Sequence, residues 1–91
     1  MKIYNVVYIW ENDNADEAGD VKILFSTTDQ QKAKLKLYEK STELVKYYNG
    51  NFSESDIEYF SVGEDNFYMT AGDAITENVL IVESELQWKY L

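Results

Sequence analysis

The chain contains no cysteine, no histidine, no proline and no arginine, and its eight basic residues are all lysines. Without cysteine there is no disulfide framework, no thiolate nucleophile and no cysteine-bound zinc. Without histidine there is no imidazole base and no histidine-bound metal. Without arginine there is no bidentate clamp for phosphate or guanine. Long apolar runs are missing too. Val6 to Trp10 and Val79 to Val82 are the longest, far short of the roughly 20 residues that span a bilayer. The opening Met1-Lys2-Ile3-Tyr4-Asn5 lacks the apolar stretch of a signal peptide. Absence of cysteine suits a reducing cytoplasm, which is the expected location.

What is present is acid and aromatic. In 91 residues, 17 Asp and Glu stand against the eight lysines, for a net charge of −9. Such charge argues against nucleic acid and anionic membranes as direct partners. With 45% apolar and 15% aromatic residues, the chain is too rich in hydrophobes to be a disordered acidic tract. Its length implies one domain over 1–91. Lys, Asn, Ile and Tyr are frequent while Arg and Pro are absent. That codon bias points to an AT-rich genome, such as a low-GC bacterium or its phages.

The pattern of residues predicts an α+β fold. Residues 3–10 are β-branched and aromatic on both faces, with Tyr4, Val6, Tyr8 and Trp10 on one and Ile3, Val7 and Ile9 on the other. This reads as a central strand. Residues 11–20 form a polar loop, and 21–26 a second strand with Val21, Ile23 and Phe25 on one face. A helix is expected over 29–49. Thr28 and Gln31 make a capping box, Leu37, Ser41, Leu44, Val45 and Tyr48 form its stripe, and Asn49-Gly50 its end. Segment 51–62 reads either as a short helix capped by Ser53 or as a strand from Ile57 to Val62. Residues 67–70 form a short strand, and 79–88 a last one in which Leu80, Val82, Leu86 and Trp88 oppose Glu83 and Glu85. Together these give an antiparallel sheet of four or five strands with one long amphipathic helix on one face. The other face is expected to present Tyr, Trp and carboxylates as the working surface.

Catalytic constellations are weak. The loop acids do not fit an EF-hand, because Glu17 stands where glycine belongs. Paired carboxylates such as Glu54 with Asp56, Glu64 with Asp65, and Glu83 with Glu85 lie on surface-like stretches without a cleft. Hydroxyl nucleophiles lack a base, and Gly63 and Gly72 are isolated. No enzyme, cofactor or metal site is expected. A small hydrolase would require converging carboxylates of raised pKa in a pocket.

Charge segregation is the most informative feature. Residues 47–88 carry nine acids and no lysine, with eight of the fourteen aromatics. Such a segment either keeps the protein soluble or meets a basic partner, with carboxylates standing in for phosphates and rings for bases. The expected contacts are Glu54, Asp56, Glu58, Glu64 and Asp65, with Tyr59 and Tyr68 as anchors and the loop acids Asp13, Asp16 and Glu17 as secondary contacts.

Met1 to Tyr8, the Phe25-Ser26-Thr27 step into a lysine-rich helix, and Glu83-Ser84-Glu85-Leu86 resemble segments of short uncharacterised proteins of low-GC bacteria and their phages. In size, charge and composition the chain is also similar to small acidic phage-encoded inhibitors of host defence, such as anti-CRISPR proteins. The resemblance implies a non-enzymatic inhibitor that occupies the nucleic-acid-binding surface of a larger host protein. The alternative is a bacterial interaction or regulatory module, paired as a homodimer through its apolar sheet face.

Overall fold

The computed structural model describes residues 1–12 and 19–85. Asp13, Asp16 and Glu17 lie outside these, as do Leu86 and Trp88 of the expected last strand. Five strands make one antiparallel sheet: β1 (Lys2–Asn12), β2 (Asp20–Thr27), β3 (Ile57–Val62), β4 (Asn66–Ala71) and β5 (Ile75–Glu85), in the order β2-β1-β5-β4-β3. One helix, α1 (Gln30–Asn51), packs on one face. It joins β2 at one edge to the segment that enters β3 at the other, so it crosses the sheet.

The helix starts because Asp29 accepts the N–H of Gln31 at 2.9 Å and of Lys32 at 3.4 Å. The cap is therefore Asp29 rather than Thr28, and its charge also suits the helix N-terminus. Ala33, Leu37, Ser41, Leu44 and Tyr48 form the buried stripe, as their spacing predicts. The helix runs past the expected stop at Asn49-Gly50. The Asn51 side chain donates to the Tyr47 carbonyl at 2.7 Å, and the Phe52 ring packs on Tyr48 at 5.4 Å. These contacts complete the last turn without a left-handed glycine.

The ambiguous segment holds both expected forms. Glu54–Asp56 is a single 3-10 turn, and Ile57–Val62 is the edge strand β3. β5 starts earlier than expected, at Ile75, because Gly72 (φ 62°) lets β4 and β5 turn tightly into a hairpin.

Two β-bulges decide which side chains face where. On β2 the register moves from Phe25 opposite Val6 to Ile23 opposite Val7, leaving Leu24 as the extra residue. Phe25 and Leu24 therefore pack against the core. Val21 and Ile23, expected on the same face as Phe25, turn to the opposite face and are 64% and 63% exposed. On β3 the extra residue is Phe60. Tyr59 thus stacks on Phe67 at 6.2 Å on the helix side, while Phe60 meets Tyr68 at 5.3 Å on the other.

The core lies between α1 and the inner face, where Val6, Leu37, Phe67, Met69 and Val79 are wholly buried. Inner residues of β5 are Ile75, Glu77, Val79 and Ile81, in register with β1 and β4. The outer sheet face differs from expectation. Tyr4 and Tyr8 turn inward to the core, and the register sends Trp10 the same way, opposite Glu77. The outer face instead presents Ile3, Val7, Ile9, Val21, Ile23, Leu80 and Val82, with the Phe60–Tyr68 pair toward β3. Asn5, Ser26 and Ser84 form a hydrogen-bonded polar row across it. Among the described strand residues in this register, only Glu11 and Glu58 bring charge to that face.

Candidate functional site

The only buried charged side chain among the described residues is Glu77, 3% exposed. The Tyr8 hydroxyl donates to its Oε2 at 2.6 Å and lies 3.1 Å from its Oε1; the Tyr48 hydroxyl donates to Oε1 at 3.2 Å. Lys40 holds its Nζ 4.5 Å from the Tyr8 ring centroid and 3.3 Å from Glu43. Burial raises the Glu77 pKa above its ordinary value, while the two phenol donors and the Lys40 charge pull it back. Both phenols are pushed well up. Desolvation is the first cause in each, followed by the bond to Glu77 for Tyr8 and by the charge of Glu77 for Tyr48. They remain O–H donors at any working pH. The triad ties α1, β1 and β5 together and lines none of the surface grooves described next. Sequence reasoning missed it, although stepping back by two from Ile81 and Val79 reaches Glu77.

The expected contact residues do not form one cluster. Glu54 and Asp56 sit in the turn before β3. Asp56 accepts from the Ser53 hydroxyl at 2.6 Å, and its carbonyl accepts the Gly72 N–H at 2.8 Å. Glu64 and Asp65 occupy the turn after β3, about 20 Å away by strand length. There Glu64 pairs with Lys34 at 3.1 Å. The Asp65 carbonyl accepts the Ile81 N–H at 3.1 Å. Glu58 lies on β3 opposite Thr70 and faces the outer side. Tyr59 faces α1, where its hydroxyl donates to Asn49 at 3.4 Å. Tyr68 is on the outer face beside Phe60. The two anchors therefore serve opposite sides of the sheet. What unites the acids is the β3 edge: Glu54 and Asp56 at one end, Glu58 along it, Glu64 and Asp65 at the other.

Among the described residues Glu54, Asp56, Glu58, Asp65 and Asp73 make no ion pair, nor do Glu11, Asp20, Asp29 and Glu77, whereas Glu39, Glu43, Glu64, Glu83 and Glu85 do. Lys36 and Lys40 pair with their own neighbours on α1 and Lys34 reaches across to Glu64, so on the β3 side Glu54, Asp56, Glu58 and Asp65 are left without an ion pair.

A groove runs between α1 and β3. One part, about 770 Å³, is lined by Val45, Asn49 and Phe52 from the helix side and by Glu54, Ile57, Tyr59 and Val62 opposite. A second part, about 620 Å³, shares Val62 and lies among Gln31, Lys34, Leu35, Tyr38, Gly63 and Glu64. A smaller polar hollow of about 350 Å³ sits at the β4–β5 turn beside Asp56, Glu58 and Asp73. No three of the described carboxylates converge in the manner of a metal site. No helix among the described residues is long and apolar enough to cross a membrane. Compared with protein-family models, curated proteins and solved structures, the chain finds no significant match in any of the three.

Proposed function

We propose that this chain is a non-enzymatic interaction protein, encoded by a phage or mobile element, that binds the basic, nucleic-acid-binding surface of a host defence protein and inhibits it. The observation that carries the reading is the row of carboxylates without ion pairs along the β3 edge: Glu54, Asp56 and Glu58, with Asp65 in the turn after β3 and Asp73 in the nearby β4–β5 turn. In a chain of net charge −9 these groups repel one another, and a cationic surface relieves that repulsion. Lysines of the partner that otherwise hold phosphates are the chemical match. The mobile-element origin rests on the resemblance in composition and motif alone.

The test is affinity capture from the host with the wild-type chain and with a variant carrying Glu54→Gln, Asp56→Asn, Glu58→Gln and Asp65→Asn. A captured protein should bind nucleic acid, be displaced by it, and be lost both from the variant and in high salt, where the screening length falls from about 10 Å at 0.1 M to 3 Å at 1 M. Equal capture by the variant, or indifference to salt, defeats the reading.

A second reading is favoured by the outer sheet face. A row of aliphatic side chains with so little charge, on so acidic a chain, is chemically suited to a second copy. Its pairing would bring few like charges together.

A further inference from the structure

We propose that the groove between α1 and β3 docks a lysine- or arginine-rich amphipathic helix of the protein partner; this rests on the reading of the chain as an acidic interaction protein. The argument begins with width. Five strands spaced about 4.8 Å apart place the two edge strands about 19 Å from each other, and one helix about 10 Å across covers only part of that. α1 packs against β2, β1, β5 and β4. α1 reaches β3 through the bond from the Tyr59 hydroxyl to Asn49, and Ile57 packs on the core; the rest of the β3 flank of the inner face is left uncovered. Its partners on the same face, Phe67 and Met69, are buried, yet Tyr59 and Val62 are 42% and 71% exposed.

Packed helices keep their axes about 8–10 Å apart, close to two strand spacings. A helix laid beside α1 would therefore sit over β4 and β3. α1 already offers apolar side chains in that direction. Leu35 and Tyr38 are exposed in one part of the groove, and Val45 lines the other. The groove follows β3 for about 20 Å, which matches roughly 13 helical residues.

Charge selects the occupant. Glu54, without an ion pair, lines one end; at the other Glu64 is already paired with Lys34, and the acid left over there is the neighbouring Asp65. An apolar stripe flanked by cations meets both requirements. A second copy of this chain would bring the same acids against themselves. An extended strand added to β3 would meet the bulge at Phe60, which interrupts regular edge pairing.

The test uses three synthetic probes at low salt: an 18-residue Leu/Lys amphipathic helix, a scrambled peptide of the same composition, and oligolysine. Expected is binding of the helix at least tenfold tighter than of either control, with amide shifts along α1 and β3. Val62→Asp, at an exposed position, should weaken it at least tenfold while leaving the melting temperature nearly unchanged. The scrambled control leaves the protein itself untouched. Equal affinity for helix and scramble overturns the inference, as do shifts centred on Val21 and Ile23, a strand-like pattern on β3 alone, or indifference to Val62→Asp. If oligolysine binds the acidic edge and the helix gains nothing over it, the groove inference falls and the parent reading stands. If no cationic probe binds, both fall.

Discussion

Replacing Tyr8 by phenylalanine removes one atom from the interior and tests the account of Glu77. The ring stays beneath Lys40; the hydroxyl 2.6 Å from Oε2 is lost. A hydrogen bond to a charged group contributes about 1.5–3 kcal/mol and a neutral one about 0.5–1.5 kcal/mol. Glu77 keeps only the longer bond from Tyr48, at 3.2 Å. At neutral pH the expected loss is therefore about 2 kcal/mol, and with Glu77 protonated about 1 kcal/mol. The folded protein holds the Glu77 proton more tightly than the unfolded chain does, since its pKa is raised above 4.5. Protonation therefore favours folding. This group's contribution grows as pH falls through the folded-state pKa and levels off below the unfolded value. The variant lacks a bond that pulls the pKa down, so its window extends to higher pH. Urea unfolding of both proteins at neutral pH and near pH 4 reads the difference, because subtraction cancels the other carboxylates. In a Glu77→Gln background the same substitution should cost about 1 kcal/mol at either pH. A cost below about 0.5 kcal/mol at neutrality refutes the phenol-bound Glu77, and a cost that does not change with pH refutes the reasoning that its charge strengthens the bond.

Two further outcomes concern the turn and the outer face. Gly72→Ala should destabilise by about 1–2 kcal/mol through backbone strain at φ 62°, measured by thermal melting; no loss would mean the turn adopts another conformation. Ile23→Lys, at an exposed position, should change monomer stability by less than about 0.5 kcal/mol. If the outer face pairs with a second copy, sedimentation should show a wild-type dimer reduced to a monomer by this substitution. A wild-type monomer at high concentration would remove that reading.

The helix and the sheet were legible because their signals are periodic. Leu37, Leu44 and Tyr48 recur at helical spacing, and Tyr4, Val6 and Tyr8 alternate on one face of β1. The facing of Val21 and Ile23 was not legible. A single extra residue, Leu24, reverses the alternation, and no propensity marks it. The site followed the same division. Net charge located the acids on the later half of the chain, but only the pairing pattern of β3 shows that Glu54 and Glu64 stand at opposite ends of one groove. Lys34, pairing with Glu64, trims the charge expected there.

The strand order has a consequence for how the chain folds. The central strand β5 and its neighbour β1 are joined through contacts such as that of Asn5 with Val82, 77 residues apart in sequence. Local hairpins can close early, but each is a fragment with one face of a core. The sheet becomes continuous only when a loop holding most of the chain has closed, which brings an entropic cost and slows folding. Until then the inner faces of β1 and β5 lack their neighbours, and Glu77 lacks Tyr8. Folding of this small domain should accordingly behave as a single late step rather than as the sum of its hairpins.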